Sequence, residues 1–155
     1  MLFRSMNDPT KAPWWRDYGL DAYFTGKGSK PFVELAVLSS MIAAAADGTA
    51  QDEEYDHIVT MIELGSKGAA DRDRVDQLVQ RAIEKIERGG IDALMDEVKD
   101  RVSDKRTATA ALAFAIACAF ADGSVAEEER EVLDRLAGVL GVDVGVDALI
   151  AGVSG

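Results

Sequence analysis

The chain has 155 residues, of which 48% are hydrophobic and 29% are charged, and it contains only three prolines. This composition is typical of one folded domain and excludes a disordered chain, which would be poor in apolar residues. The net charge is −11, because 28 acidic residues stand against 17 basic ones. Phosphate backbones and anionic lipids repel such a chain, so nucleic acid, membrane surfaces and anionic ligands in general are disfavoured.

The segment 1–31 differs from the rest and is predicted to form an N-terminal arm. It contains all three prolines, both tryptophans and several glycines, and it shows no helical or strand period. Such an arm packs on its own domain or docks on a partner, and we favour packing. In the docking alternative, the candidate partner-binding residues are Trp14, Trp15 and Tyr18, because aromatic side chains dominate interface hot spots.

From residue 32 to residue 155 the apolar residues recur with a helical period, and no stretch alternates convincingly with period two. The sequence predicts an all-α fold, a compact single-domain bundle of about six to seven helices. The predicted helices cover 33–46, 51–65, 71–89, 91–102 behind an Asp92 cap, 103–121, a segment around 132–140 that Gly141 ends, and 143–151 from Asp143.

The single cysteine and the single histidine narrow the possible chemistry. Cys118 lies in an apolar run, where a thiol is usually a small buried hydrophobe, and a lone cysteine fits a reducing compartment. His57 cannot form a two-histidine zinc site, and no nucleophile elbow accompanies it. No signal-peptide core is evident, and the longest uncharged run, 107–121, is shorter than the roughly 20 residues of a membrane span. We expect a cytoplasmic protein without direct membrane insertion.

The most informative feature is an internal repeat, in which one acidic motif occurs twice. Residues 44–55 read AAADGTAQDEEY and residues 119–130 read AFADGSVAEEER. In both copies an alanine-rich helix precedes the motif and an amphipathic helix follows it, which predicts two pseudo-repeated helical hairpins. The glycine ends the first helix, and the acidic cluster meets the positive end of the next helix dipole. This structural interpretation explains most of the carboxylates without any ligand.

The aspartates of the repeat are harder to explain as structural residues. Asp47 and Asp122 fall at helix C-termini, where the dipole disfavours a negative charge. Seven residues later stand Glu54 and Glu129, which a hairpin brings towards these aspartates. Carboxylates that approach each other need a cation, a basic residue or a proton, and hard oxygen ligands favour Ca²⁺, Mg²⁺ or Mn²⁺ over Zn²⁺. The motif lacks the ligand ladder of an EF-hand. The secondary candidate ligands are Glu53 and Glu128.

The Ala-Asp-Gly, five residues, then Glu pattern at 46–54 and 121–129 resembles that of the TerB-like tellurite-resistance family. The resemblance covers about residues 33–150 and implies a compact all-helical domain with two such hairpins. It also implies a cytoplasmic accessory protein of tellurite resistance and stress response, acting by metal binding or by scaffolding membrane-associated partners. The family's acidic positions carry over onto the four repeat residues, two aspartates and two glutamates, named above.

Three functional hypotheses follow. The leading one is a non-enzymatic acidic domain that binds a divalent cation through the repeated motifs. The second is a pure protein-interaction module whose acidic residues are structural caps and which needs no metal. The third and remote one is a metal-dependent hydrolase that would depend on Glu129, although the sequence supplies no catalytic nucleophile and base. The oligomeric state stays open, as does the question of whether the two motifs form one site.

Overall fold

A computed structural model describes residues 9–26, 29–46, 52–120 and 125–154. Every regular element in these ranges is helical, which confirms the predicted all-α fold. A short 3₁₀ turn, Pro9–Lys11, precedes the α-helices. The α-helices of the described residues are α1 (Pro13–Asp17), α2 (Leu20–Thr25), α3 (Ser29–Ala44), α4 (Asp52–Gly65), α5 (Arg72–Arg101), α6 (Lys105–Ala119), α7 (Glu127–Leu140) and α8 (Val146–Ser154).

Helices α3 and α6 pack against each other at the centre of the fold. Twelve of the sixteen residues of α3 are buried, as expected for a helix that is apolar all round and lies in the interior. Helix α6 contributes buried alanines along its length, and their small side chains let the two backbones approach closely. The helix predicted to begin at Val33 begins at Ser29, because Pro31 is tolerated in a first turn.

The two hairpins of the repeat have equivalent helix bounds. We call α3 with α4 the first hairpin and α6 with α7 the second hairpin. The leading helices end at Ala44 and Ala119, and the following helices begin at Asp52 and Glu127. From the first hairpin to the second, the helix end and the helix start are therefore displaced along the sequence by the same number of residues. This displacement equals the offset between the two copies of the motif. Helices α3 and α6 each contact both α4 and α7, so the hairpins share one core.

Local capping residues set several of the helix ends that the sequence predicts. Asp71 Oδ1 accepts a hydrogen bond from the backbone N–H of Asp73 at 3.1 Å and starts α5. Asp104 Oδ1 likewise accepts from Thr107 N at 2.9 Å and starts α6. Gly141, at a φ of +75°, takes the left-handed conformation that ends α7.

The predicted break between 71–89 and 91–102 is confirmed, because Gly90 (φ +69°) leaves helical geometry and kinks α5. The predicted Asp92 cap is wrong, since Asp92 pairs with Arg135 on α7. The predicted start of the last helix is also wrong. Helix α8 begins three residues after the predicted start at Asp143. Its first backbone bond runs from Leu149 N to the carbonyl oxygen of Gly145, while the Asp143 carboxylate binds Lys105 at 2.6 Å.

The arm contains helices that the sequence did not predict, α1 and α2, and packs into the common core. Trp15 is 1% exposed, and its indole stacks on Phe24 with ring centroids 5.4 Å apart. Both rings also contact Phe114 of α6 edge to face. The described residues of the arm therefore pack on the domain, which is the interpretation that the sequence favours.

None of the helices in the described ranges is both long and apolar enough to cross a membrane.

Candidate functional site

The candidate residues of the acidic repeat divide between described and undescribed parts of the chain. Asp47 and Asp122 lie outside the described residues. Glu54 and Glu129 are described and occupy the third position of α4 and α7, respectively. The repeat therefore places its two glutamates at equivalent points of equivalent helices.

The first turns of α4 and α7 carry three acidic residues each. Glutamates at equivalent positions of the two turns have the same burial. Glu54 and Glu129 are half-buried, whereas Glu53 and Glu128 are exposed. Glu129 Oε1 accepts a hydrogen bond from Ala126 N at 3.0 Å, which is one half of a capping box. Ala126 has no side-chain oxygen to form the other half, so the side-chain cap of α7 comes from the glutamate.

The helix ends that lead into the two motifs lie close together. Ser40 Oγ, in the second-last turn of α3, donates to Cys118 Sγ, in the last turn of α6, at 3.8 Å. Ser40 is four residues from the end of its helix and Cys118 is one residue from the end of its own. Because a helix rises only about 1.5 Å per residue, both C-terminal ends belong to one region of the molecule. Both acidic motifs follow from that region.

The start of α4 is negative, because three acidic residues, Asp52, Glu53 and Glu54, lie in its first turn. Burial raises the pKa of the half-buried Tyr55, and the charges of Glu54, Asp52 and Glu87 raise it further. Helix α5 therefore adds a carboxylate to the negative field of this first turn. Such a field favours a cation over an anion.

The carboxylates in the described residues do not suffice for a metal site on their own. Across 9–26, 29–46, 52–120 and 125–154, no three histidine, cysteine, aspartate or glutamate side chains converge in a way that could hold a metal ion. A cation site at the repeat would therefore need Asp47 or Asp122 in addition to Glu54 and Glu129.

The cysteine and the histidine fill structural positions. Burial raises the pKa of the Cys118 thiol to about 12, so the reactive thiolate is scarce at neutral pH. Burial lowers the pKa of the half-buried His57, which keeps the imidazole neutral. Neither residue has the surroundings of an activated nucleophile or base.

The aromatic residues proposed as partner anchors face the interior. Trp14 and Trp15 are 7% and 1% exposed and belong to the hydrophobic core. Tyr18 is half-buried and packs against Gly152 of α8. In this arrangement the two indoles stabilise the chain itself and offer no exposed area to a partner.

An ion-pair network that the sequence analysis did not identify links α3 with α5. Glu34 binds Arg74 and Arg101, and Glu97 binds Arg101 and Lys85. The available signal was Glu34, which is the only charged residue in the apolar stretch 33–46. A charge on a mostly buried helix needs a partner, so its presence there predicts a basic residue on a neighbouring element.

Comparison with known proteins assigns the family. The sequence model of the family described as "TerB: Tellurite resistance protein TerB" matches residues 33–146. The matched region runs from the first turns of α3 to the start of α8 and includes both hairpins. No curated protein and no solved structure matches the chain. The match covers most of the chain and agrees with the all-helical fold, so the chain belongs to the TerB tellurite-resistance family.

Proposed function

We propose that this TerB domain is a non-enzymatic protein that binds a divalent cation where its two acidic motifs meet. The observation that carries the proposal is the contact between Ser40 and Cys118, which brings together the helix ends that lead into the motifs. The expected ligands are Asp47, Asp122, Glu54 and Glu129, with Ca²⁺, Mg²⁺ or Mn²⁺ favoured over Zn²⁺ by the all-oxygen donor set.

A bound cation would offset a specific electrostatic cost. Two aspartates beyond helix C-termini and two glutamates in nearby first turns would together place four negative charges in one region. A divalent ion neutralises this repulsion, and its binding energy adds directly to the stability of the folded chain. These four residues would act only as ligands of the ion, because no nucleophile and base accompany them.

Calorimetric titration with Ca²⁺, Mg²⁺, Mn²⁺ and Zn²⁺ tests the proposal. We expect saturable binding of at least one of the first three ions, and loss of that binding in Asp47→Asn/Asp122→Asn. The matched control is Asp96→Asn/Asp100→Asn, which removes two exposed carboxylates from α5 and should leave the binding unchanged. If none of the four ions binds saturably, the proposal is wrong.

The second candidate function is an interaction module whose acidic residues are helix caps. It is favoured by the hydrogen bond from Ala126 N to Glu129, which gives that carboxylate a structural role without metal. Its proposed partners are proteins, including membrane-associated ones. Glu129→Gln separates the two functions, because glutamine keeps an acceptor for Ala126 N but removes the charge. Cation binding should weaken in this variant if Glu129 is a ligand and stay unchanged if Glu129 is only a cap.

A further inference from the structure

A cleft between α3 and α5 carries positive charge on a chain whose net charge is −11. Its charged lining residues are Glu34 on α3 and Arg81, Lys85, Glu97 and Arg101 on α5. Three cations stand against two carboxylates, so the sign of the cleft is opposite to that of the whole chain. Salt screens distant charges over about 8 Å at physiological ionic strength, so the local balance decides which ligands the cleft attracts.

The two carboxylates of the cleft are already engaged by partners within the protein. Glu34 accepts from Arg74 at 2.5 Å through Oε2 and from Arg101 through Oε1. Glu97 accepts from Lys85 through Oε1 and from Arg101 at 3.0 Å through Oε2. Burial would raise the pKa of Glu97, but the bonds from these two cations outweigh it and hold the pKa below its ordinary value. Each of the four carboxylate oxygens thus has a cationic partner.

Arg81 is the cation left over from this pairing. Its side chain is exposed at the cleft, and within the described stretches of the chain it takes part in no hydrogen bond or ion pair. The other lining residues of the cleft are apolar, and water screens charges less beside an apolar surface. The cleft has a volume of about 10 Å³, enough for one oxygen-sized group. These apolar lining residues are Val37, Leu38, Leu78 and Ala82.

We propose that this cleft binds a small oxyanion of the size of phosphate or sulfate, held mainly by Arg81 with Lys85 alongside. A guanidinium presents paired N–H donors that match two oxygens of such an anion, and the cleft accommodates one of its oxygens. The site uses none of the residues of the acidic repeat, so this proposal is independent of the proposed cation site.

Titration with sodium phosphate and sodium sulfate, followed by amide NMR at constant ionic strength, tests this site. We expect saturable shifts at the amides of Leu38, Leu78 and Arg81, with chloride alone producing none. Arg81→Gln should weaken the affinity about tenfold, the size expected for the loss of a charged hydrogen bond. The matched control is Arg88→Gln, an exposed arginine of the same helix that does not line the cleft, and it should bind like the wild-type chain.

Three results would overturn the oxyanion site. The first is a set of shifts that do not saturate or that chloride reproduces. The second is an Arg81→Gln variant that keeps wild-type affinity. The third is an equal loss in Arg88→Gln, which would show attraction to the helix surface in general. Arg81→Lys guards against a folding effect, because it keeps the charge and should bind with intermediate affinity.

Discussion

The two hairpins have equivalent helix bounds but different surroundings at the ends away from the acidic motifs. Helix α4 ends at Gly65 against the indole of Trp15, whereas α7 ends at Leu140 before the left-handed Gly141. The second hairpin also packs on α8, partly through the ion pair of Arg130 with Asp147, which lies at its acidic end. These differences are matters of packing, since each hairpin covers a different flanking segment.

What the hairpins share lies at the opposite ends. Both have a leading helix rich in small residues, an Asp-Gly after it and three acidic residues in the next first turn. Packing alone does not require both copies to keep these residues, because the neighbours of the two hairpins differ. We therefore expect that a function common to both hairpins belongs to the acidic ends.

The greatest loss of stability is expected where the arm packs against the end of the first hairpin. Trp15→Ala should lower the free energy of unfolding by about 3–5 kcal/mol, because it empties a buried site stacked on Phe24. Urea unfolding followed by fluorescence and circular dichroism measures the change. Arg16→Ala is the control, since its side chain is 83% exposed, and it should stay within about 0.5 kcal/mol of the wild type. A small effect of Trp15→Ala would contradict the packing of the arm.

A pair of glycine substitutions should give opposite signs in the two hairpins. A Cβ at Gly65 would lie 2.5 Å from Cη2 of Trp15, so Gly65→Ala should destabilise by about 1–3 kcal/mol. Gly138 lies on the exposed side of α7 with open space around it, so Gly138→Ala should stabilise by about 0.5–1 kcal/mol through helix propensity. Thermal unfolding of both variants measures the difference, and equal signs would refute the proposed asymmetry.

The capping bond predicts a smaller effect at the acidic end of the second hairpin. Glu129→Ala removes the acceptor of Ala126 N and should cost about 1 kcal/mol of stability. Glu129→Gln retains an acceptor and should cost less. Chemical unfolding in a metal-free buffer makes the comparison, and an equal loss in both variants would show that charge, not the hydrogen bond, stabilises the helix start.

The smallest effect is a pH dependence of the first hairpin that the second hairpin lacks. His57 of α4 has a lowered pKa, so the unfolded chain takes up a proton at a higher pH than the folded chain does. Stability should therefore be full above the ordinary histidine pKa of 6.5 and fall as the pH drops below it. His57→Gln should remove this slope between about pH 5.5 and 7.5, because no other histidine is present. An unchanged slope would assign it elsewhere.

Most helix bounds could be predicted from the sequence because local chemistry sets them. Asp71, Asp104 and Gly141 act through neighbouring backbone groups, and a sequence pattern displays such short-range signals. The start of α8 was missed because the Asp143 carboxylate binds Lys105, which is 38 residues away. Helices α1 and α2 were missed because tertiary contacts of the aromatic rings, and not an apolar period, stabilise them.

The candidate sites show the same limit. The equivalence of Glu54 and Glu129 was readable from the repeat, and the structure gives both the same helix position and burial. The cleft could not be predicted from the sequence, because Glu34 pairs with Arg74 and Arg101 at separations of 40 and 67 residues. Contacts at such separations depend on how the helices pack, which a single sequence does not display.

The stoichiometry of cation binding shows whether the two acidic ends form one site. Titration calorimetry of the wild-type chain, Asp47→Asn and Asp122→Asn with the tightest of Ca²⁺, Mg²⁺ and Mn²⁺ compares the two hairpins in one measurement. A site shared by both acidic ends predicts one ion per chain and weakened binding in each single variant. No saturable binding, or binding that neither substitution changes, would contradict the claim that the common ends of the hairpins carry the function.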